Sequence, residues 1–385
     1  MSDFIYKNGK KLRCGYTTGT CAAAAAKCAS RILLGQNEDA SVFIRTPGGK
    51  TLELPVTVLE RSDSMVLCGV RKDAGDDADV TDGLMICARV TLCPEAGAGV
   101  QISGGEGVGR VTRPGLDQPV GEAAINSVPR KMICEVLREA AEEAGYTGGF
   151  HVVISAPGGD EIVMETFNPR LGIEGGISIL GTSGIVEPMS DQAVVDTIRA
   201  QISVRMAEGA ESIFITPGNY GEEFIREETS LELDAFVKCS NFIGDALDIA
   251  AQAGAKRLLL VGHIGKLVKL GSGIMNTHSR FADGRMETLA SCILLAGGDA
   301  QTARNVLSCN TTEDAVELMR EAGCLDGAME VLSQRIEDAM SRHVYGRMGT
   351  GAVFFSRQSG LCVIGKNAER IFGNDLFCRS RVGSD

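Results

Sequence analysis

Leu258-Leu259-Leu260-Val261-Gly262-His263-Ile264-Gly265-Lys266 is the stretch on which the fold turns. Four apolar residues without polar alternation fit a strand buried on both faces, as in a parallel sheet covered by helices. A glycine-bearing turn follows at once. The same pattern occurs twice upstream. Residues 212–215 run into Thr216-Pro217-Gly218-Asn219-Tyr220-Gly221, and residues 177–180 into Gly181-Thr182-Ser183-Gly184. Between the runs lie helical patterns, one over 190–207 with Val194, Val195, Ile198 and Ile202 on a single face, another over 242–253. This β-α-β-α-β alternation predicts a Rossmann-like α/β domain with a mainly parallel sheet and right-handed crossovers. Helices are expected between 286 and 343, and strands at 352–356 and 361–364.

The chain before this region reads differently. Strand-like runs at 41–45, 52–59, 65–71 and 84–92 follow an Ala-rich helix over 20–34. A second helix starts at Ser127 and Pro129 and stops at Gly145, and residues 151–155 and 162–166 read as a hairpin across Pro157-Gly158-Gly159. The glycines at 172, 175 and 176 mark a boundary. The expectation is an N-terminal mixed α+β domain over 1–170 and the Rossmann-like domain over 171–385.

A length of 385 residues fits two domains. The formal charge of −12 and the 5% aromatic content argue against a nucleic-acid or membrane partner. The N-terminus lacks a basic-then-apolar signal pattern, and no apolar run reaches the roughly 18 residues of a membrane span. A cytoplasmic protein is expected. None of the 13 cysteines forms a C-x-x-C pair, so neither a zinc knuckle nor a redox dithiol is indicated. Reduced, packed thiols are expected.

In an open parallel sheet the three glycine-bearing turns fall along the carboxyl edge, where such folds bind ligands. The third turn leads into Lys266, Lys269, Asn276, Thr277, His278, Ser279, Arg280, Asp283, Arg285 and Glu287. Four cations concentrated in an acidic protein predict a site for an anionic small molecule, with His263 and His278 as its titratable groups. The histidines lack helix-face spacing and an evident third ligand, so no metal site is expected. The carboxylates of Asp73, Asp76, Asp77, Asp79 and Asp82 form an acidic loop. Asp82 stands where a calcium loop counted from Asp77 needs glycine, and no Glu closes it. The loop is expected to be solvated or to meet cations.

Gly15-Tyr16-Thr17-Thr18-Gly19-Thr20-Cys21, running into alanines 22–26, admits two readings. Its helix start would attract an anion, or Thr18 or Thr20 would simply cap an Ala-rich helix.

This stretch also resembles the opening signature of the CbiD family, the cobalt-precorrin-5B (C1)-methyltransferases. The likeness continues through Lys72-Asp73-Ala74-Gly75-Asp76-Asp77, Val111-Thr112-Arg113-Pro114-Gly115 and Phe167-Asn168-Pro169-Arg170-Leu171-Gly172. It runs on through Gly175-Gly176-Ile177-Ser178-Ile179-Leu180-Gly181-Thr182, Gly184-Ile185-Val186-Glu187-Pro188-Met189 and Gly218-Asn219-Tyr220-Gly221. It closes with the block from His263 to Arg280 and with Asp283-Gly284-Arg285-Met286-Glu287. Cys14, Ala78 and Asp82 depart from the pattern.

The resemblance implies methyl transfer from S-adenosylmethionine to C1 of cobalt-precorrin-5B, giving cobalt-precorrin-6A in anaerobic cobalamin synthesis. It implies a donor site at Gly181, Thr182, Gly218, Asn219, Tyr220 and Gly262. The polycarboxylate macrocycle would be met by Lys266, Lys269, Arg280 and Arg285, with Arg110 and Arg113 as further candidates, and across an interdomain cleft by Thr17, Thr18 and Thr20; the donor and substrate assignments are open to exchange. His263 or His278 would serve if an acid or base is used. Cobalt belongs to the substrate, and contact with pathway enzymes or a second copy is open. Two other readings stand beside this one: a non-catalytic corrinoid carrier, and a phosphate-ester enzyme, which lacks a Lys at the loop's helix entry because Cys21 occupies it.

Overall fold

The computed structural model describes residues 3–36, 38–228 and 235–373. The chain divides into two compact units, Met1–Asp191 and Gln192–Asp385, so the segment after the expected 170/171 boundary packs with the first unit. Both units mix helix and strand.

The first unit opens with β1 (Phe4–Lys7), β2 (Lys10–Arg13), β3 (Gly15–Tyr16) and α1 (Thr18–Leu33). A hairpin of β4 (Ser41–Arg45) and β5 (Thr51–Pro55) follows. Next come β6 (Thr57–Arg61), β7 (Met65–Arg71), β8 (Met85–Cys93), β9 (Val100–Gly104) and β10 (Arg110–Val111). Then come α2 (Ser127–Ala144), β11 (Gly149–Ser155) and α3 (Gly159–Ile162). The unit ends with α4 (Asn168–Leu171), β12 (Ile173–Glu174) and β13 (Ile185–Val186). Its main sheet has the order β6-β7-β8-β11-β9, antiparallel except between β11 and β9.

Helix α1 explains the alanines. It packs on β7 and β8 and also on α2, and every residue except Lys27, Arg31 and Leu33 is buried. A helix enclosed all round has no polar face to spare, and methyl side chains let sheet and helix approach its backbone together.

Two sequence expectations fail in this unit. The segment 162–166 is no strand: Gly158 takes φ 83°, and Gly159 packs so closely that a Cβ there would stand 2.4 Å from the Gly107 carbonyl. The chain turns into α3, whose first turn carries Asp160 and Glu161, as suits a helix N-terminus. Residues 177–180 do not join the parallel sheet either. Ile177 and Ile179 bridge Val108 and Ile125 and bury in the first unit's core. A four-residue apolar run encodes burial but not the sheet that provides it.

The second unit starts with α5 (Asp191–Ala207), β14 (Ser212–Thr216), α6 (Asn219–Glu228) and β15 (Phe236–Lys238). Then come α7 (Ile243–Gln252), β16 (Arg257–His263), α8 (Ile264–Leu267), α9 (Arg285–Leu295) and α10 (Ala300–Leu307). The unit continues with α11 (Thr312–Glu321), α12 (Leu325–His343), β17 (Gly349–Ser356), β18 (Leu361–Ile364) and α13 (Lys366–Phe372). The sheet order is β15-β14-β16-β17-β18, parallel except for the antiparallel edge strand β18.

Strand β16 shows why its run is uniformly apolar. Leu258 and Leu260 face a core shared with α7, α9 and α12, whereas Leu259 and Val261 face one shared with α6 and α13. The α6 crossover therefore lies on one face and α7 on the other. The chain leaves β14 for β15, then passes back beyond β14 to β16, which makes a topological switch point between β14 and β16. Glu337, fully buried on α12, ties the far end together by accepting from the Ala352, Asn367 and Ala368 amides at 3.3, 2.9 and 2.9 Å.

Replacing Ala23 by Leu inserts three carbons where none can be accommodated. The loss expected is about 1–3 kcal/mol, read as a lower urea midpoint, and an unchanged midpoint would contradict the enclosed position of α1.

Candidate active site

The carboxyl ends of β14 and β16 hold the switch-point crevice. After β14 the chain turns through Pro217 and Gly218, the latter at φ 154°, into α6. After β16 it turns through His263 into α8. Gly262 lets these turns meet, since a Cβ there would stand 2.5 Å from Leu267 and 3.0 Å from Pro217. Lys266 spans them, its Nζ donating to the Pro217 carbonyl at 2.6 Å. Burial lowers the Lys266 pKa, aided by Lys269. Beneath lie Thr216, fully buried with Oγ1 lacking a hydrogen-bond partner among the described residues, and Cys239. Complete burial pushes the Cys239 thiol up to about 12.

His263 sits on this edge with both ring nitrogens engaged. Nδ1 accepts from the Gly265 amide at 3.1 Å, capping α8, and Nε2 lies 3.3 Å from Glu313 on α11. That pattern places the neutral ring's proton on Nε2, facing the carboxylate. The Phe355 ring, edge-on at 5.9 Å, closes another side. Burial lowers the His263 pKa, and Glu313 only partly opposes this. Both nitrogens of His263, expected as an acid or base, are thus engaged by groups of its own unit.

The basic segment divides between inner and outer positions. Lys269 is 5% exposed and donates to the Thr277 and Ala282 carbonyls at 3.1 and 2.9 Å. It fixes the loop from inside and is not presented to a ligand, as had been expected. His278 and Arg280 stand exposed on that loop, with His278 Nδ1 accepting from the Arg280 amide at 3.0 Å and the guanidinium over the Phe281 ring. Arg285 chelates Asp283 at 2.6 and 3.0 Å, and Asp283 is held below the usual carboxylate range chiefly by that bond. Gly218, Gly262, His263 and Lys266 thus come together at the turns after β14 and β16, while His278 and Arg280 share the neighbouring loop and Arg285 opens α9 at its end. The backbones of Asn219 and Tyr220 begin α6, but their side chains lie outside the described residues. Glu313 and Thr216 were not anticipated. Glu313 follows a Thr311 N-cap, a context that reads only as a helix start.

The remaining expected residues lie in the first unit. Gly181 and Thr182 stand beside the start of α1, where a Cβ on Gly181 would meet Thr17 Oγ1 at 2.2 Å, so they are absent from the parallel-sheet edge. Thr17 caps α1, Thr18 Oγ1 accepts from the Leu180 amide at 2.9 Å, and Thr20 Oγ1 donates to the Gly184 carbonyl at 2.8 Å. The Gly19 amide donates to the Leu180 carbonyl at 3.0 Å. All three hydroxyls are buried: those of Thr18 and Thr20 bond to the strap 178–184, and that of Thr17 accepts from the Thr20 amide at 3.3 Å, so each is engaged within the first unit, where a ligand contact was expected.

The acidic loop is likewise consumed by its own unit. Asp73 accepts from Arg13, Asp76 from the Arg13 amide, Asp77 from the Met189 amide and Asp82 from the Ala74 amide. Asp79 meets the Lys72 ammonium at 2.6 Å. Burial would raise the Asp79 pKa but is outweighed by Lys72 and Thr81, so the net shift is downward. Among the described residues no group of three His, Cys, Asp or Glu side chains is disposed to hold a metal ion, and no helix is long and apolar enough to cross a membrane.

Two predictions follow from these contacts. Asp79→Asn leaves the Lys72 ammonium, 2% exposed, without its counter-charge. The expected loss is about 3 kcal/mol, at the low end for a broken pair because Asp79 keeps 25% exposure. Urea denaturation measures it, and a loss under about 1 kcal/mol would show that the pair is weakly coupled. For His263, a pKa held below its ordinary 6.5 means the unfolded chain takes up the proton first, so stability falls as pH drops below that value. Asn at 263 can still cap Gly265 but cannot titrate. The thermal midpoint of His263→Asn should therefore depend less on pH below 6.5 than that of the parent; identical profiles would rule out His263 as the group responsible.

Residues 5–188 match the family model CbiD, and residues 276–365 match CbiD, C-terminal domain. The chain is 49% identical to a cobalt-precorrin-5B C(1)-methyltransferase of Ruminiclostridium cellulolyticum, over 88% of this chain and 87% of that protein. It is 44% identical to the protein of the same name from Alkaliphilus metalliredigens, over 96% and 97%. The crystal structure of the cobalamin biosynthesis protein (cbiD) from Archaeoglobus fulgidus aligns at 26% identity and a TM-score of 0.38, covering 83% of this chain and 88% of that one. By its family-model matches and its identity to these relatives along nearly their whole length, the chain belongs to the CbiD family.

Proposed function

We propose that the chain is a cobalt-precorrin-5B C1-methyltransferase of cobalamin biosynthesis that uses S-adenosylmethionine and releases cobalt-precorrin-6A. The observation that carries the reading is the switch-point crevice between β14 and β16, bridged by Lys266, in a chain whose relatives bear that activity as their name. Such crevices suit small nucleoside-bearing ligands, and the glycines at 218 and 262 allow backbone to approach one closely.

The donor supplies an activated methyl on a sulfonium. Transfer to ring carbon would exchange its C–S bond for a C–C bond, with S-adenosylhomocysteine as the leaving group. What the protein contributes is alignment, and holding two partners in register can be worth effective molarities of order 10⁵ M. His263, Glu313 and Lys266 fix the two turns that frame the crevice. The loop held from within by Lys269 offers Arg280 to a polycarboxylate ring, with Arg285 at the start of α9 as a second guanidinium that must exchange Asp283 for a ligand carboxylate. No acid or base is required of His263.

Incubation with cobalt-precorrin-5B and S-adenosylmethionine should yield a product heavier by one methyl group, read by mass spectrometry. Arg280→Ala should raise KM for the macrocycle about tenfold, with kcat less affected. Tight corrinoid binding with no mass change would instead favour the carrier reading.

A further inference from the structure

We infer that the first turn of α6 seats the carboxylate at the amino-acid end of the methyl donor, with the Lys266 ammonium beside it and the Thr216 hydroxyl beneath. The inference rests on the sulfonium-donor reading above and extends it by naming which end of that donor lies here. The Thr216 side chain is fully buried and its Oγ1 has no hydrogen-bond partner among the described residues. A Cβ on Gly221 would stand 1.8 Å from that oxygen, so the hydroxyl looks at the first turn of α6 and is accommodated only because residue 221 lacks a side chain. A buried polar atom kept without a partner calls for an explanation, and a ligand is one of the few available.

Lys266 supplies the charge. Pro217 O takes one of the three N–H donors of its ammonium, and a Cβ on Gly218 would lie 3.9 Å from Nζ with no nearer neighbour among the described residues. The space over Gly218 therefore opens onto the ammonium. Helix α6 is ten residues long, and its first amides add partial positive charge at the same place. Competing charge is small. Glu222, in the same turn, is paired with Lys238 at 3.1 Å, and the Cys239 thiol is held neutral by burial. A carboxylate here would also offset the burial that depresses the Lys266 pKa.

Calorimetry with two ligands tests the seat. S-adenosylhomocysteine carries the amino-acid carboxylate, whereas 5′-methylthioadenosine shares its nucleoside and thioether but lacks that group. Lys266→Met should weaken S-adenosylhomocysteine about tenfold or more and methylthioadenosine less than about twofold, and Lys266→Arg should recover most of the loss. Thr216→Val is nearly isosteric and removes only an unpartnered hydroxyl, so it should keep its melting temperature while weakening S-adenosylhomocysteine alone. Parallel losses for both ligands, or none in either variant, would reduce Lys266 to a tie between turns and overturn the seat. A parent protein that binds neither ligand, with or without a corrinoid, would remove the sulfonium-donor reading itself.

Discussion

The parallel pairing of β14 with both β15 and β16 is the constraint from which the candidate site follows. A chain that must leave β14 toward one neighbour and return on the other side sends its crossovers to opposite faces. The turns after β14 and β16 then lie at the switch point of the carboxyl edge, where folds of this kind bind ligands. Lys266 bridges the two turns, Gly262 permits the close approach of Pro217, and His263 stiffens the second turn by capping α8. None of these contacts would coincide if the two strands were consecutive neighbours in an antiparallel sheet.

The first unit is governed by enclosure. With α1 covered by sheet and by α2, its N-terminal amides and threonine hydroxyls must find partners within the protein, and the strap 178–184 and the Thr17 cap supply them. The acidic loop obeys the same rule, each aspartate being answered by an ammonium, a guanidinium or a backbone amide. A motif that looks like a ligand cradle in sequence is here the closure of a helix end.

The strands at 212–216, 257–263 and 349–356 and the long helices were legible because burial on two faces and helical periodicity leave direct marks on residue type. Fold class and carboxyl edge followed from them. The placement of residues 177–180 was not legible, since an apolar run of four states burial without naming its neighbours. For the same reason Gly181 and Thr182 were assigned to an edge they do not occupy. Lys269 and Arg280 look alike in sequence, yet one ammonium is buried under the loop while the other cation lies on its surface. His263 shows a further limit: the spacing of histidines reveals candidates for proton transfer, but the amide of Gly265 and the carboxylate of Glu313 decide that the ring is already engaged. Strand β15, three residues long, is too short for any pattern to announce it.

The cysteines acquire meaning from burial. Cys21 on α1 and Cys239 at the end of β15 are both fully buried, and burial pushes each thiol up to about 12. Reaction at sulfur needs the thiolate, which is almost absent at neutral pH and shielded besides. Each compact unit thus carries a native thiol whose chemistry is silent while that unit stays closed and becomes ordinary when it opens. The alkylation rates of these two sulfurs are therefore separate clocks for the opening of the two halves of one chain.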